Sequence, residues 1–159
     1  MAGNDQDLNA YKIVKPAPEA FDKLRLIPFF NIFREDEQLA AVIGNSTWLR
    51  VPEGTHVIKE GDQCYDFFVL VKGSARVVKG GSELATIERG EVFGEMGALL
   101  HQPRTADIVA HEECVLFRMF VSNLNKLPID VVLLIITRFY RATATRLQAA
   151  DKKLAEREV

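Results

Sequence analysis

Phe93-Gly94-Glu95-Met96-Gly97-Ala98-Leu99-Leu100-His101-Gln102-Pro103-Arg104-Thr105-Ala106 carries one acidic and one basic residue, Glu95 and Arg104, on either side of a short apolar run. Gly94 and Gly97 have no side chain, so a ligand can approach the main chain closely there. Residues 97–100 are expected to form one helical turn whose unpaired N–H groups point back toward Glu95. Such a turn attracts negative charge, because free donors and the helix dipole act together. The rigid donor fork of Arg104 suits phosphate oxygens. Glu95 repels a phosphate but accepts readily from a neutral hydroxyl such as a ribose 2′-OH. One grip for phosphate and one for sugar imply a compact nucleotide, and nothing in the stretch points to metal-assisted triphosphate binding.

On both sides of this stretch the chain reads as short β-type runs broken by glycine. Trp48–Val51, Thr55–Ile58, Asp66–Val71, Ser74–Val78 and Ser82–Ile87 precede it, and Thr105–Ala110 and Cys114–Met119 follow. The breaks are Pro52-Glu53-Gly54, Glu60-Gly61-Asp62, Lys72-Gly73, Gly80-Gly81, Arg89-Gly90-Glu91 and His111-Glu112-Glu113. Strands so spaced argue for an all-β sandwich or barrel, and Gly80-Gly81 is a tight-hairpin signal. A jelly-roll barrel over residues 47–120 fits, with its only helical turn inside residues 93–106.

Helices are expected at both ends of the barrel. Within residues 18–46, one begins at Pro18, uses Phe21, Leu24 and Leu26 as apolar points and stops at Pro28. A second runs from Glu35 to Ile43, with an acidic start and Gly44-Asn45 at its end. Phe29, Phe30, Ile32 and Phe33 between them are expected to pack on the sheet. Residues 1–17 are polar and weakly patterned, and are expected to be a mobile lead. Within residues 121–159, a long helix from Asp130 to about Glu156 follows Pro128. Val132, Ile136, Phe139, Thr143, Leu147, Ala150 and Leu154 form one stripe along it. Its first half is expected to pack on the barrel. Its second half narrows to a seam flanked by Arg141, Arg146, Lys152, Lys153 and Glu156, which favours a homodimer through this helix over a fold-back.

The run Phe-Gly-Glu-x-x-Ala-Leu followed by Pro-Arg-Thr-Ala closely resembles the phosphate-binding cassette of the cyclic nucleotide-binding domain family. Bacterial catabolite activators, regulatory subunits of cyclic-AMP-dependent kinase and sensor domains of gated channels belong to that family. Gly61-Asp62, Lys72-Gly73 and Gly90-Glu91 look like its turn glycines, and extend the resemblance over residues 24–155. The fold it implies is mainly β, a jelly-roll barrel with N-terminal helices and a long C-terminal helix. The resemblance assigns Glu95 to the ribose hydroxyl, and Arg104 with main-chain groups near Gly94, Gly97 and Ala98 to the cyclic phosphate. Val77, Leu84, Ala85 and Met96 would line sugar and base, and Thr105 and Ala106 complete the cassette. Thr105 permits cyclic GMP without requiring it, and cyclic AMP is the favoured ligand. Arg146 aligns with a helix arginine that approaches the cassette glutamate in the bacterial activators. Ala150 and Asp151 stand where those activators place hydroxyl side chains, so base capping departs from their pattern.

Composition bounds the rest. The chain has 159 residues, 48% of them hydrophobic and 26% charged, with a formal net charge of −2. This is an ordinary globular balance with no electrostatic drive toward nucleic acid, so no direct DNA binding is expected. The few residues after the long helix cannot build a helix-turn-helix. The longest apolar stretch, within Ile129 to Ile136, is too short to cross a bilayer. Cys64 and Cys114, with no signal-peptide pattern, are expected to be reduced thiols of a cytoplasmic protein. The rival class is a metal-dependent cupin enzyme, but His56, His101 and His111 form no His-x-His pair, so neither metal, cofactor nor catalysis is expected. A third class is a ligand-free dimerisation module. The favoured expectation is a stand-alone regulatory sensor that passes helix movement to an unidentified effector.

Overall fold

The computed structural model describes residues 8–158. Strands β1 (Lys12–Ile13), β2 (Thr47–Val51), β9 (Cys114–Phe120), β4 (Asp66–Lys72) and β7 (Val92–Phe93) build one sheet in that order. Strands β3 (His56–Ile58), β8 (Asp107–Ala110), β5 (Ala75–Lys79) and β6 (Ser82–Ile87) build the other. Every pairing is antiparallel, and Gly80 and Gly81 adopt φ values of 58° and 78° in the hairpin between β5 and β6. Each glycine tolerates that left-handed backbone without a Cβ clash.

Alternation along β4 and β9 creates two cores. Phe68 and Leu70 of β4, with Cys114 and Leu116 of β9, face the second sheet and pack with Val57, Ile58, Ile87 and Ile108. Phe67 and Val69, with Phe117 and Met119, face the opposite way into a helical layer. Side chains on a strand point alternately to its two faces, so each strand serves both cores at once.

The helical layer comprises α1 (Phe21–Leu24), α2 (Asp36–Gly44) and the start of α4 (Ile129–Arg157). Glu35 and Gln38 form a reciprocal capping box at the start of α2, and the Asn45 amide donates to the Ala41 carbonyl at its end. Phe29, Phe30 and Phe33 are fully buried, as the sequence predicts. Trp48, the only tryptophan, stacks on Phe30 at 5.9 Å, meets Phe117 edge-on at 5.8 Å and donates to the Ser46 hydroxyl. Each such fully buried aromatic or Leu side chain contributes about 1.5–3 kcal/mol.

Helix α4 begins directly after Pro128, and its phase differs from the expected stripe. Val131, Ile135 and Phe139 are the buried residues, whereas Ile136, Leu147 and Leu154 are exposed. Every described residue from Thr145 onward is exposed, so the helix leaves the body of the domain. The N-terminal lead also differs from expectation. Residues 1–7 lie outside the described range, but Leu8 is buried in the inter-sheet core, and Lys12 and Ile13 pair with Leu49 and Trp48.

Candidate functional site

Helix α3 (Glu95–Leu100) sits at the end of β7 because Gly94 turns the chain with φ of 79°. A Cβ at Gly94 would lie 3.1 Å from Ile58 Cδ1 and 3.3 Å from Arg104 Nη1. At Gly97 it would lie 3.0 Å from the same Nη1. The two glycines therefore make room for the chain's own arginine, a use the sequence reading did not foresee. His101 ends α3 with φ of 52° and stacks its ring on Tyr65 at 4.6 Å. The segment returns through Arg104, whose N–H donates to the Asp62 carbonyl and whose carbonyl accepts from Gly61 N–H.

Arg104 points inward and is buried. Its Nη1 donates to the Gly94 carbonyl at 2.6 Å, and its Nη2 donates to both the carbonyl and Oδ1 of Asp66, each at 2.6 Å. Asp66 Oδ2 accepts from Arg118 Nε at 2.6 Å. Asp66, Arg104 and Arg118 are 2%, 6% and 1% exposed. The space enclosed by Leu8, Ile58 and this cluster is about 10 Å³, room for one water at most.

Glu95 is the second buried anchor. Its side chain is 1% exposed, and Oε1 accepts from Arg146 Nη1 at 2.5 Å. Arg146 Nη2 also donates to the Val92 carbonyl, so α4 is clasped to both β7 and α3. The other oxygen, Glu95 Oε2, is buried with no hydrogen-bond partner among the described residues. An unsatisfied buried carboxylate oxygen costs free energy, and it is the feature here that invites an external donor.

The remaining predicted residues divide. Ala98 is buried, and its N–H is spent on the Gly94 carbonyl at 3.3 Å rather than left free. Met96 is exposed, with its sulfur 3.7 Å from Thr143 Oγ1 of α4. Val77 is half-buried beside the inter-sheet core, and Ala106 is half-buried. Leu84, Ala85 and Thr105 face solvent; the first two lie on β6, which is an edge strand. The structure thus gathers Gly94, Glu95, Gly97, Ala98, Arg104 and Arg146 through contacts of their own, and Leu84, Ala85 and Thr105 are exposed. Sequence reading missed Asp66 and Arg118. Both occupy the inward phase of their strands, where Phe68, Leu70 and Leu116 are apolar, and that interruption was the available signal.

No cluster of three or more potential metal-ligating His, Cys, Asp or Glu side chains occurs among the described residues. None of the described helices is long and apolar enough to cross a membrane. Where α4 passes the 28–31 segment, Arg138 donates to the Pro28 carbonyl at 2.7 Å, and burial, then the Arg141 charge, holds its guanidinium below the ordinary arginine range.

The family model described as the cyclic nucleotide-binding domain matches residues 48–128. A cGMP-dependent protein kinase of Toxoplasma gondii is 33% identical over 92 residues, 57% of this chain and 9% of the kinase. A cAMP-dependent protein kinase regulatory subunit of Pyricularia oryzae is 33% identical over 88 residues, 53% of this chain and 23% of the subunit. The chain spans from about a tenth to about a quarter of the length of the first curated relatives it matches. A cyclic nucleotide-binding domain of known structure from Methylobacillus flagellatus covers 97% of this chain and 93% of its own, with a TM-score of 0.82. At 15% identity that likeness is one of fold.

Proposed function

The chain belongs to the cyclic nucleotide-binding domain family, and on that premise we propose that it binds a cyclic nucleoside monophosphate over α3 as a regulatory sensor. Cyclic AMP is the preferred ligand over cyclic GMP. The observation that carries this reading is the buried, unpartnered Glu95 Oε2 in the cassette that also holds Arg104. A ribose hydroxyl donating to Oε2 satisfies it while Oε1 keeps Arg146, so occupancy strengthens the clasp between α3 and α4. Arg104 grips the cyclic phosphate from the same cassette. Met96 and Val77 flank the sugar and base.

The effect leaves through α4. Leu133, Ile136, Tyr140, Leu147 and Leu154 are exposed and follow heptad spacing, which fits a second copy of this helix. Homodimerisation there would let a shift of α4 reach an effector. Catalysis is no part of the reading, because His56 lies on β3, His101 caps α3 and His111 lies in the turn after β8. Cys64 and Cys114 form no disulfide, which accords with a cytoplasmic location.

Calorimetric titration with cyclic AMP and cyclic GMP tests the proposal. Arg104→Ala should weaken binding by at least ~30-fold, since truncating one partner of a buried charged pair costs about 2–5 kcal/mol. Absence of binding by the wild-type chain would refute it. One observation favours a second reading, a ligand-free dimerisation module: both Nη2 donors of Arg104 are already held by Asp66. Under that reading no cyclic nucleotide raises thermal stability, whereas a ligand at 100 times its Kd adds about 2.7 kcal/mol.

A further inference from the structure

A guanidinium grips a phosphate through paired donors, and either of its two-pronged edges includes Nη2. In this chain Arg104 Nη2 donates to the Asp66 carbonyl and to Asp66 Oδ1, which uses both of its hydrogens. A two-pronged hold on phosphate, through Nη2 and either Nη1 or Nε, which has no partner among the described residues, therefore requires Arg104 to give up at least one of its two Asp66 contacts. Giving up the carboxylate contact exposes a second difficulty, because Asp66 is 2% exposed and a buried carboxylate stripped of its cation is strongly unfavourable.

Arg118 removes that difficulty. It lies on β9, opposite Phe68 of β4, two residues along from Asp66 on the same inward face. Its Nε holds Asp66 Oδ2, the oxygen Arg104 does not use. Its guanidinium also lies over the Phe120 ring, 4.6 Å from the centroid, a hold that does not involve Arg104. We propose that Arg118 is the standing counterion that lets Asp66 release Arg104 to the ligand, so that Asp66 and Arg118 together set the affinity of the phosphate site. Asp66 is then the competitor and Arg118 the positioning residue. The inference rests on the cyclic nucleotide reading of the cassette.

The test is a double-mutant cycle in cyclic AMP affinity, measured by calorimetry on Asp66→Asn, Arg118→Met and the pair together. Asp66→Asn removes the competitor and should tighten binding, by about fivefold or more. Arg118→Met leaves Asp66 dependent on Arg104 alone and should weaken binding by roughly tenfold or more. In the Asp66→Asn background the same Arg118→Met change should have little effect, because no buried carboxylate remains to be held. A plain electrostatic field would instead make the two changes additive, with Arg118→Met costing the same in both backgrounds. Additive changes, or unchanged affinity in Arg118→Met, overturn the proposal. Thermal unfolding confirms that each variant is folded, and Arg118→Gln replaces Arg118→Met if the latter is not. A wild-type chain that binds no cyclic nucleotide overturns the functional reading and the handover with it. A wild-type chain that binds normally while the cycle is additive overturns the handover alone.

Discussion

Replacing Arg146 with alanine should loosen α4 from the cassette without unfolding the barrel. The size of the effect follows from the two ends of the pair. The Glu95 side chain is 1% exposed and that of Arg146 is 47% exposed. Breaking a fully buried pair costs about 3–5 kcal/mol, because one charge is left unpaired in the interior. Exposed pairs contribute only about 0–1 kcal/mol, since water screens them. With one partner in each regime, and the Val92 carbonyl losing its donor as well, Arg146→Ala should cost about 2 kcal/mol. For a chain of 159 residues the melting temperature should fall by about 4–8 °C. Differential scanning calorimetry of Arg146→Ala, Glu95→Ala and the double variant isolates the pair, with an expected coupling of about 0.5–3 kcal/mol. Amide exchange should speed up in the α4 turns around residue 146. Additive losses, or an unchanged melting temperature in Arg146→Ala, would show that the clasp does not hold the helix and would remove the route from ligand to α4.

Other expected outcomes test separate parts of the molecule. Leu147→Asp should abolish self-association in sedimentation equilibrium while leaving the melting curve of the barrel intact, because Leu147 makes no core contact of its own. Gly90→Ala should lower the urea midpoint by the equivalent of about 1–3 kcal/mol, given φ of 89° and a Cβ position 2.4 Å from Pro28 Cδ. Burial pushes the Cys114 thiol above its ordinary value, so the folded chain holds that proton more tightly than the unfolded one. Its contribution to stability is complete below the unfolded value of about 8.5 and is lost as pH rises toward the folded value. Denaturant midpoints should therefore fall above that pH, and Cys114→Ala should flatten the decline.

The barrel was legible because its strands are short, separated by glycine turns and rich in aromatic and branched residues. Strands 48–51, 66–71 and 114–119 agree with the structure to within a residue or two. β1 was not legible: two residues, Lys12 and Ile13, carry no period, and only the open edge of β2 makes them a strand. In α4, apolar residues surround the first half, so periodicity does not fix which face meets the barrel. The Val131, Ile135 and Phe139 face is chosen by contact with Phe67 and its neighbours, and Ile136 is left outside. Glu95 and Arg104 were legible as charges at motif spacing, and Arg146 through the resemblance of the long helix to that of the bacterial activators. Their partners were less so. Asp66 reads as an ordinary strand start and Arg118 as an ordinary strand residue until the phase of β4 and β9 is known. Leu84 and Ala85 were expected beside the ligand, and they lie exposed on the edge strand β6.

The single tryptophan gives the molecule an optical reporter of its own. Trp48 is 2% exposed and wedged between Phe30 of the helical layer and Phe117 of the sheet. Indole emission moves to longer wavelength when water reaches the ring, so any lifting of that layer would register as a red shift. The ring is no part of the proposed nucleotide site, so such a signal would come from motion rather than from quenching by a bound base. Stopped-flow mixing of unlabelled nucleotide with unlabelled protein could then time the helical response directly.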